Sequence, residues 1–162
     1  DAEVIAVTSD PTTWDNHPVR PHAVIDRRTE DLRETMKARY PGGVDVVLDP
    51  VGGGLAEPAL RSLGPLGRYL VVGFASGDIP RLPANQVLLR NRTVVGVEWA
   101  TWITAHPEHL ARTLEVVLNR LARGVLHPPK PTLVTLDELP DVLLRPPPGA
   151  GLVRTVVVPA LS

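Results

Sequence analysis

The sequence predicts an α/β fold built on a doubly wound parallel sheet that lacks its first strand and glycine-rich turn. Three observations carry this prediction. Short apolar strands alternate with helical segments along the chain. The strands at residues 44–48 and 69–72 are almost continuously apolar, as expected where helices cover both faces of a parallel sheet. Each of these strands runs directly into a glycine turn, at residues 50–54 and 73–77.

In the first half of the chain, short apolar runs predict the strands, and apolar residues at helical spacing predict the helices. Leu32, Met36 and Tyr40 are spaced to fall on one helix face, with Thr29 as the expected N-cap. Prolines exclude a stable helix over residues 9–21, because each removes a backbone donor. The predicted elements are strands at 4–8, 22–26, 44–48 and 69–72 and helices at 29–40 and 55–63.

The second half contains the best helix of the chain. Pro107 suits a first helical turn, leucines recur on one face, and Gly124 follows as a terminator. Pro140 lies inside a weaker helical segment. The predicted elements are one helical turn at 86–90, strands at 93–99, 133–136 and 152–158, and helices at 107–123 and 137–144.

Composition narrows the function classes. The chain has 162 residues, which suits one domain, and a formal net charge of -1 without blocks of like charge. This balance argues against nucleic acid or an anionic membrane as a partner. There are no cysteines, which excludes disulfides and thiolate chemistry. No apolar run reaches the roughly 20 residues that span a bilayer, and we expect a cytoplasmic location.

The order of elements implies that the chain begins at the second strand of its sheet. A phosphate-binding first turn would precede the strand at residues 4–8, and the sequence starts at Asp1. We therefore expect an N-terminally truncated nucleotide-binding domain. Without a central first strand, three outcomes are open: the strands at 4–8 and 44–48 pair directly, another chain fills the slot between them, or the domain is poorly folded. We expect the strand at 4–8 either next to the strand at 44–48 or displaced from it.

Three segments resemble the zinc-independent quinone oxidoreductases of the medium-chain dehydrogenase/reductase superfamily. The stretch HAVIDRRTED at residues 22–31 is similar to the same family. The resemblance covers most of residues 1–125 and fades toward the end. The three segments are GVDVVLDPVGG at 43–53, GRYLVVGFASG at 67–77 and NRTVVGVEW at 91–99.

The resemblance implies a Rossmann-like domain that binds NADPH and passes hydride to a small-molecule quinone or enone. It also implies a separate substrate domain, toward which a degenerate tail at residues 130–162 would return. In this family the edge strand from Thr93 to Glu98 pairs with its copy, which implies a homodimer. No protein nucleophile or metal is required, because the nicotinamide supplies the chemistry.

The candidate cofactor-binding residues lie at strand ends, where a parallel sheet presents backbone to a ligand. By resemblance the second glycine turn lies beside the nicotinamide, and Ser9 would meet the adenosine ribose. The resemblance implies NADPH, but the Asp10 carboxylate would repel a 2′-phosphate. The expected cofactor is therefore NADP or NAD. Asp49 is expected to serve the turn rather than catalysis. The candidate residues are Ser9, Val51, Gly52, Gly73, Phe74, Ala75 and Ser76.

Each of these sites also has an ordinary structural interpretation. The two glycine turns can serve backbone geometry alone, and Ser9 can serve as a helix cap. The five histidines are scattered and predict no zinc site. Two other functions remain open: a non-catalytic remnant acting as a nucleotide-binding or dimerisation module, and a different nucleotide-binding enzyme such as a methyltransferase.

Overall fold

The computed structural model describes residues 2–15, 19–128, 130–145 and 155–159. Its strands are β1 (Ile5–Thr8), β2 (Ala23–Asp26), β3 (Val44–Asp49), β4 (Leu63–Val71), β5 (Thr93–Gly96), β6 (Thr132–Val134) and β7 (Thr155–Val157). Its helices are α1 (Leu32–Arg39), α2 (Ala56–Ser62), α3 (Ala84–Leu88), α4 (Trp99–Ala105), α5 (Pro107–Ala122) and α6 (Leu139–Leu144). Short 3₁₀ turns occupy Pro11–Trp14 and Gly53–Leu55.

The predicted α/β class with parallel strands is confirmed. Within the described residues the strands form three sheets, ordered β1-β2, β3-β4-β5 and β6-β7. Every strand pair is parallel. Parallel pairs require crossover connections, and α2 supplies one between β3 and β4 while α3 supplies one between β4 and β5.

Strands β1 and β3 lie in different sheets. Among the described residues β1 pairs only with β2, and β3 pairs with β4, so β1 and β3 remain apart. Both are anchored to a common core of Ile25, Leu32 and Met36, against which Ile5 of β1 and Val44 of β3 pack. Helix α1 therefore joins the two sheets through side chains rather than through backbone hydrogen bonds.

A second core lies under the three-stranded sheet. Ala56 and Leu60 of α2 pack against Leu63 and Tyr69 of β4, and all four side chains are buried. Burying a leucine side chain such as that of Leu60 or Leu63 contributes roughly 1.5–3 kcal/mol to the stability of the fold. This core fixes β4 beside α2 and therefore fixes the turns that follow β3 and β4.

Three sequence predictions need correction. The strand expected from Thr93 to Glu98 ends at Gly96, because the Glu98 carboxylate caps α4 by accepting from the N–H groups of Ala100 and Thr101. The strand expected at 69–72 begins earlier, at Leu63, as a register shift accommodates the extra residues.

Helix α1 also begins later than predicted. Asp31, not Thr29, is its N-cap, and its carboxylate accepts from the Glu34 N–H at 2.9 Å. The Thr29 hydroxyl instead donates to the Asp26 carbonyl within the preceding turn. A carboxylate at this position also matches the positive end of the helix dipole.

Contacts divide the chain into two compact units, Asp1–Ser9 with His22–Ala111 and Asp10–Pro21 with Arg112–Ser162. Strands β1–β5 belong to the first unit, and β6, α6 and β7 belong to the second. Pro140 lies in the first turn of α6, where its missing N–H has no helical acceptor to lose. The residues that precede Thr155 in the predicted last strand lie outside the described residues. Among those described, no helix is long and apolar enough to span a membrane.

Candidate functional site

The two glycine turns predicted from the sequence meet at the carboxyl edge of the three-stranded sheet. The Ala75 N–H donates to the Pro50 carbonyl at 3.1 Å, and the Ser76 N–H donates to the Val51 carbonyl at 3.0 Å. These bonds continue the β3–β4 pairing beyond the strands themselves. The expectation that Val51 and Phe74 share one rim is therefore confirmed.

Asp49 organises the first turn. One carboxylate oxygen accepts from the N–H groups of Val51 and Gly52, both at 2.9 Å. The other accepts a short hydrogen bond from the Tyr69 hydroxyl. Burial, followed by this hydrogen bond, raises the pKa of Tyr69 above its ordinary value. Asp49 thus has the turn role that the sequence predicted for it.

Gly52 is required by both conformation and space. Its φ is 68° and its ψ is -147°, a region open essentially to glycine alone. A Cβ there would lie 2.9 Å from Cδ1 of Phe74 and 3.0 Å from the Asp78 carbonyl oxygen. The close approach of the two turns therefore depends on the missing side chain.

Most of the polar groups named for the second glycine turn form hydrogen bonds within the protein. The Ala75 and Ser76 N–H groups bond the first turn, and the Ser76 hydroxyl accepts from the Asp78 N–H at 3.2 Å. The Phe74 N–H, by contrast, donates to no acceptor within the described residues. Its ring is 41 % exposed. Phe74 is the rim residue that offers both a free donor and an apolar surface.

A cavity of about 320 Å³ opens beside the joined turns. Glu57 and Asp78 contribute carboxylates to it, and Arg81 contributes one guanidinium. The sequence predicted the turns but not Asp78 or Arg81, because nothing local indicates that the loop after Ser76 folds back. Its lining residues are Gly53, Gly54, Glu57, Asp78, Ile79, Pro80 and Arg81.

Ser9 follows β1 and belongs to the separate two-stranded sheet. Within the described chain no hydrogen bond joins Ser9 to either turn. The cap of the following 3₁₀ turn is Asp10, whose carboxylate accepts from the Thr12 N–H at 3.2 Å. The proposed structural role of a helix cap therefore falls to Asp10 rather than to Ser9.

Two tryptophans and two histidines form a stacked cluster on α4 and the start of α5. Ring centroids lie 5.5 Å apart between Trp99 and Trp102, and 5.1 Å apart between Trp102 and His106. His109 lies 5.3 Å from Trp102. The sequence predicted strand rather than helix for Trp99, so it missed the stacking of these rings.

The described residues do not fit a zinc site. No group of three or more His, Asp or Glu side chains among them lies close enough to share a metal ion. The whole sequence has no cysteine. His17 lies outside the described residues. Zinc in proteins requires at least three such ligands, so no chemistry through a metal follows from this donor set.

Comparison with known proteins identifies the family to which this chain belongs. Residues 21–117 match the family described as zinc-binding dehydrogenase. The chain belongs to that family. The match runs from β2 into α5 and includes both glycine turns and the whole three-stranded sheet.

The curated relatives are quinone oxidoreductase-like. Over 104 residues the chain is 39% identical to quinone oxidoreductase-like protein 2 from Bos taurus, covering 64% of this chain and 30% of that protein. The chain therefore spans about a third of the length of this relative. Together with the family match, this similarity identifies a medium-chain dehydrogenase/reductase of quinone oxidoreductase type.

Solved structures agree in fold. A quinone oxidoreductase from Pseudomonas syringae superposes with a TM-score of 0.75 at 19% identity, covering 96% of this chain and 48% of that chain. CurA from Vibrio vulnificus, solved in complex with NADPH, superposes with a TM-score of 0.72 at 19% identity, covering 99% and 50%. The Rossmann-like architecture predicted from the sequence is confirmed.

Proposed function

We propose that this chain holds the nicotinamide end of NAD(P)H for hydride transfer to a quinone or enone. The observation that carries the proposal is the pair of glycine turns, hydrogen-bonded to each other at the carboxyl ends of adjacent parallel strands. Ligands of open α/β sheets bind outside these ends. The proposal also includes a cytoplasmic location and a homodimer through the strand from Thr93 to Glu98.

The chemistry of the rim fits a nicotinamide and not a pyrophosphate. Glu57, Asp78 and Arg81 line the cavity beside the turns, and the Glu57 carboxylate is paired with Arg61 at 2.6 Å. The lining therefore offers no excess of positive charge to a doubly charged phosphate pair and tolerates a neutral or cationic ring. The free Phe74 N–H offers a hydrogen bond to a carboxamide oxygen, and its exposed ring offers apolar contact.

The bound cofactor would supply the hydride, and the chain would supply its placement. Gly52 and Gly73 let backbone approach the ring, and the Asp49–Tyr69 hydrogen bond holds the turn in place. Phe74 excludes water from one side. The proposed cofactor-binding residues are Ser9, Val51, Gly52, Gly73, Phe74, Ala75 and Ser76, of which Ala75 and Ser76 act through their carbonyl groups and turn geometry.

The similarity to longer proteins bears on substrate and cofactor. The bovine relative is named a quinone oxidoreductase-like protein, and CurA was solved with NADPH. We extend both properties to this chain as proposals, together with the tail at residues 130–162 as the segment returning toward a substrate domain. The Asp10 carboxylate after β1 disfavours a 2′-phosphate, so NADH should bind at least as tightly as NADPH.

A second candidate is a non-catalytic module that binds nucleotide weakly or mediates association. Two observations favour it. Strands β1 and β3 are not joined by backbone hydrogen bonds among the described residues. The Ala75 and Ser76 N–H groups are already satisfied by protein carbonyls. Both reduce the number of groups available to grip a cofactor.

A fluorescence titration with NADH and NADPH tests the proposal. We expect a dissociation constant below about 100 μM, roughly -5.5 kcal/mol, for at least one reduced cofactor. Phe74→Ala should weaken binding about fivefold or more, because the exposed ring is lost. Leu88→Ala is the matched control, since Leu88 is an exposed apolar residue of α3, and its affinity should equal that of the native chain.

A turnover assay separates the two candidates. The native chain is mixed with reduced cofactor and a soluble benzoquinone, and loss of the reduced nicotinamide is followed by absorbance. Quinone-dependent oxidation supports the reductase. Cofactor binding without oxidation supports the non-catalytic module, and absence of binding with both cofactors contradicts the nicotinamide site itself.

A further inference from the structure

A second cavity, of about 330 Å³, lies at the opposite end of the three-stranded sheet from the glycine turns. Gly43, which precedes β3, and Leu63, which begins β4, both line it. The six residues of β3 separate it from the nicotinamide rim by roughly 17 Å at 3.3 Å per residue. Its volume is within the range of small-molecule sites, roughly 300–1,000 Å³.

The cavity is lined by cations and by no acid. Among the described residues that line it, five side chains are basic and none is acidic. Arg61 is paired with Glu57 at 2.6 Å, which leaves four positive charges without a carboxylate partner among the described residues. The five basic residues are Arg33, Lys37, Arg61, Arg90 and Arg92.

The guanidinium of Arg92 has carbonyl partners but no carboxylate partner among the described residues. Its side chain is only 6 % exposed, and its guanidinium donates to the carbonyls of Gln86, Arg61 and Leu63. Its Nε is buried without a hydrogen-bond partner among the described residues. Neutral carbonyls orient a guanidinium but do not cancel its charge. A buried cation with a free donor beside four other cations is suited to an anionic ligand.

The neighbouring charges also act on one another. Burial lowers the pKa of Arg92, and the positive charges of Arg90 and Arg61 lower it further. Arg33 and Lys37 stand four residues apart on α1, so they project from one helix face. Like charges held together in this way repel, and a multivalent anion would relieve that repulsion.

We propose that this cavity binds a small anion that carries two or three linked phosphate groups. Guanidinium groups match phosphate oxygens in pairs, which favours phosphate over a simple halide or carboxylate. Four uncompensated cations fit the charge of a di- or triphosphate better than that of a single phosphate. A concave site of this volume suits a small molecule, whereas a nucleic acid would need an extended basic stripe.

Calorimetric titration of the full chain with tripolyphosphate tests the proposal. We expect saturable binding that weakens with added salt. Combining Arg33→Gln, Lys37→Gln and Arg90→Gln should weaken it about 30-fold, because each of these exposed cations contributes about threefold through its ion pair with the ligand. Arg92 is left intact, since it supports the fold. The matched control combines Arg112→Gln, Arg120→Gln and Arg123→Gln, three exposed cations outside the cavity, and should bind as the native chain does.

Three further ligands assign the source of the phosphate. ATP binding more tightly than tripolyphosphate assigns a nucleotide, and equal binding assigns a free oligophosphate; both support the proposal. Equal binding of citrate, or tighter binding of a short DNA duplex, overturns it. So does equal weakening in the cavity and control variants. Circular dichroism confirms that each variant is folded.

The outcome is independent of the proposed reductase site. NADH should bind the cavity variant and the native chain equally, and saturating tripolyphosphate should not displace it. Loss of nicotinamide binding with retained tripolyphosphate binding would contradict only the reductase proposal. The reverse result would contradict only the anion cavity.

Discussion

At the scale of single residues, Gly52 and Arg92 carry the most constrained chemistry. Gly52 occupies a backbone region that other residues enter only with strain, and its missing Cβ lets Phe74 and Asp78 close over it. Arg92 is buried beside carbonyls and basic neighbours, with one donor left over. A buried donor without a partner costs about 1–3 kcal/mol. The unpaired Nε of Arg92 therefore lowers the stability of the fold.

Replacing Gly52 by alanine should destabilise the chain by about 1–3 kcal/mol, because strain and the 2.9 Å contact with Phe74 act together. Urea unfolding followed by circular dichroism measures the change. Gly54→Ala is the control: a Cβ there meets nothing within 4 Å, and its effect should stay within about 0.5 kcal/mol. Equal loss in both variants would contradict the argument from close approach.

At the scale of elements, the connection between β3 and β4 extends beyond their ladder. The buried Tyr69 hydroxyl of β4 donates to the carboxylate of Asp49 at the end of β3, and that carboxylate also holds the first glycine turn. By contrast, β1 and β3 are not paired with each other among the described residues. Side chains of both strands pack against the same cluster, which includes Leu32 and Met36 of α1. The sheet is therefore firmly organised at the proposed nicotinamide rim and loosely connected toward β1.

Tyr69→Phe should cost about 1–3 kcal/mol, because it leaves one carboxylate oxygen of Asp49 without its donor. Tyr40→Phe is the matched control. Its hydroxyl donates to Glu3 at an exposed position, so the loss should be smaller. Urea unfolding at neutral pH measures both variants, and an equal effect of the two would contradict the role assigned to Tyr69.

The same tyrosine predicts a pH dependence. The pKa of Tyr69 is raised in the folded chain, so its contribution is complete below the ordinary tyrosine pKa of about 10. That contribution is lost as pH rises toward the folded-state pKa, because the unfolded chain releases the proton first. As pH rises above about 10, the free energy of unfolding should fall more steeply for the native chain than for Tyr69→Phe. Parallel slopes would contradict this assignment.

At the scale of the whole molecule, the exposed edge of the three-stranded sheet is where we propose that two copies of the chain associate. Among the described residues β5 pairs only with β4, and Val94, Val95 and Val97 are exposed. An exposed edge rich in valine invites pairing with another strand. The chain also spans about a third of the length of its bovine relative.

Sedimentation velocity at micromolar concentration tests the dimer. The native chain should sediment as a dimer, and Val95→Lys should shift it to monomer, because a lysine on an edge strand opposes pairing. Val125→Lys makes the same change at an exposed valine after α5 and should remain dimeric. A monomeric native chain, or an equal shift in both variants, would argue against pairing through β5.

Much of this molecule follows from local sequence. The strand–turn units at Asp49 and Val71 were predictable because buried parallel strands read as apolar runs and their turns require glycine. Helix α5 was predictable because Pro107 and Gly124 bound a regular apolar face. In each case the signal and the structure lie within one segment of the chain.

Other features depend on residues far apart in sequence. Helix α4 replaces a predicted strand end because the Glu98 carboxylate caps it, an effect that valine-rich propensity concealed. Strand β4 begins at Leu63, despite the glycine and proline that follow, because it pairs there with Val44. The basic cavity draws its cations from three segments between Arg33 and Arg92, and no spacing within any of them announces it.

The sequence by itself determined the α/β class, the family and the two glycine turns, because these depend on apolar runs and glycines that are local. Only the tertiary structure decided that β1 and β3 stay apart, that Ala75 and Ser76 spend their N–H groups on the first turn, and that unpaired cations gather at the far end of the sheet. The physical reason is that hydrogen-bond satisfaction and charge density are properties of neighbours in space, which the order of residues along the chain does not specify.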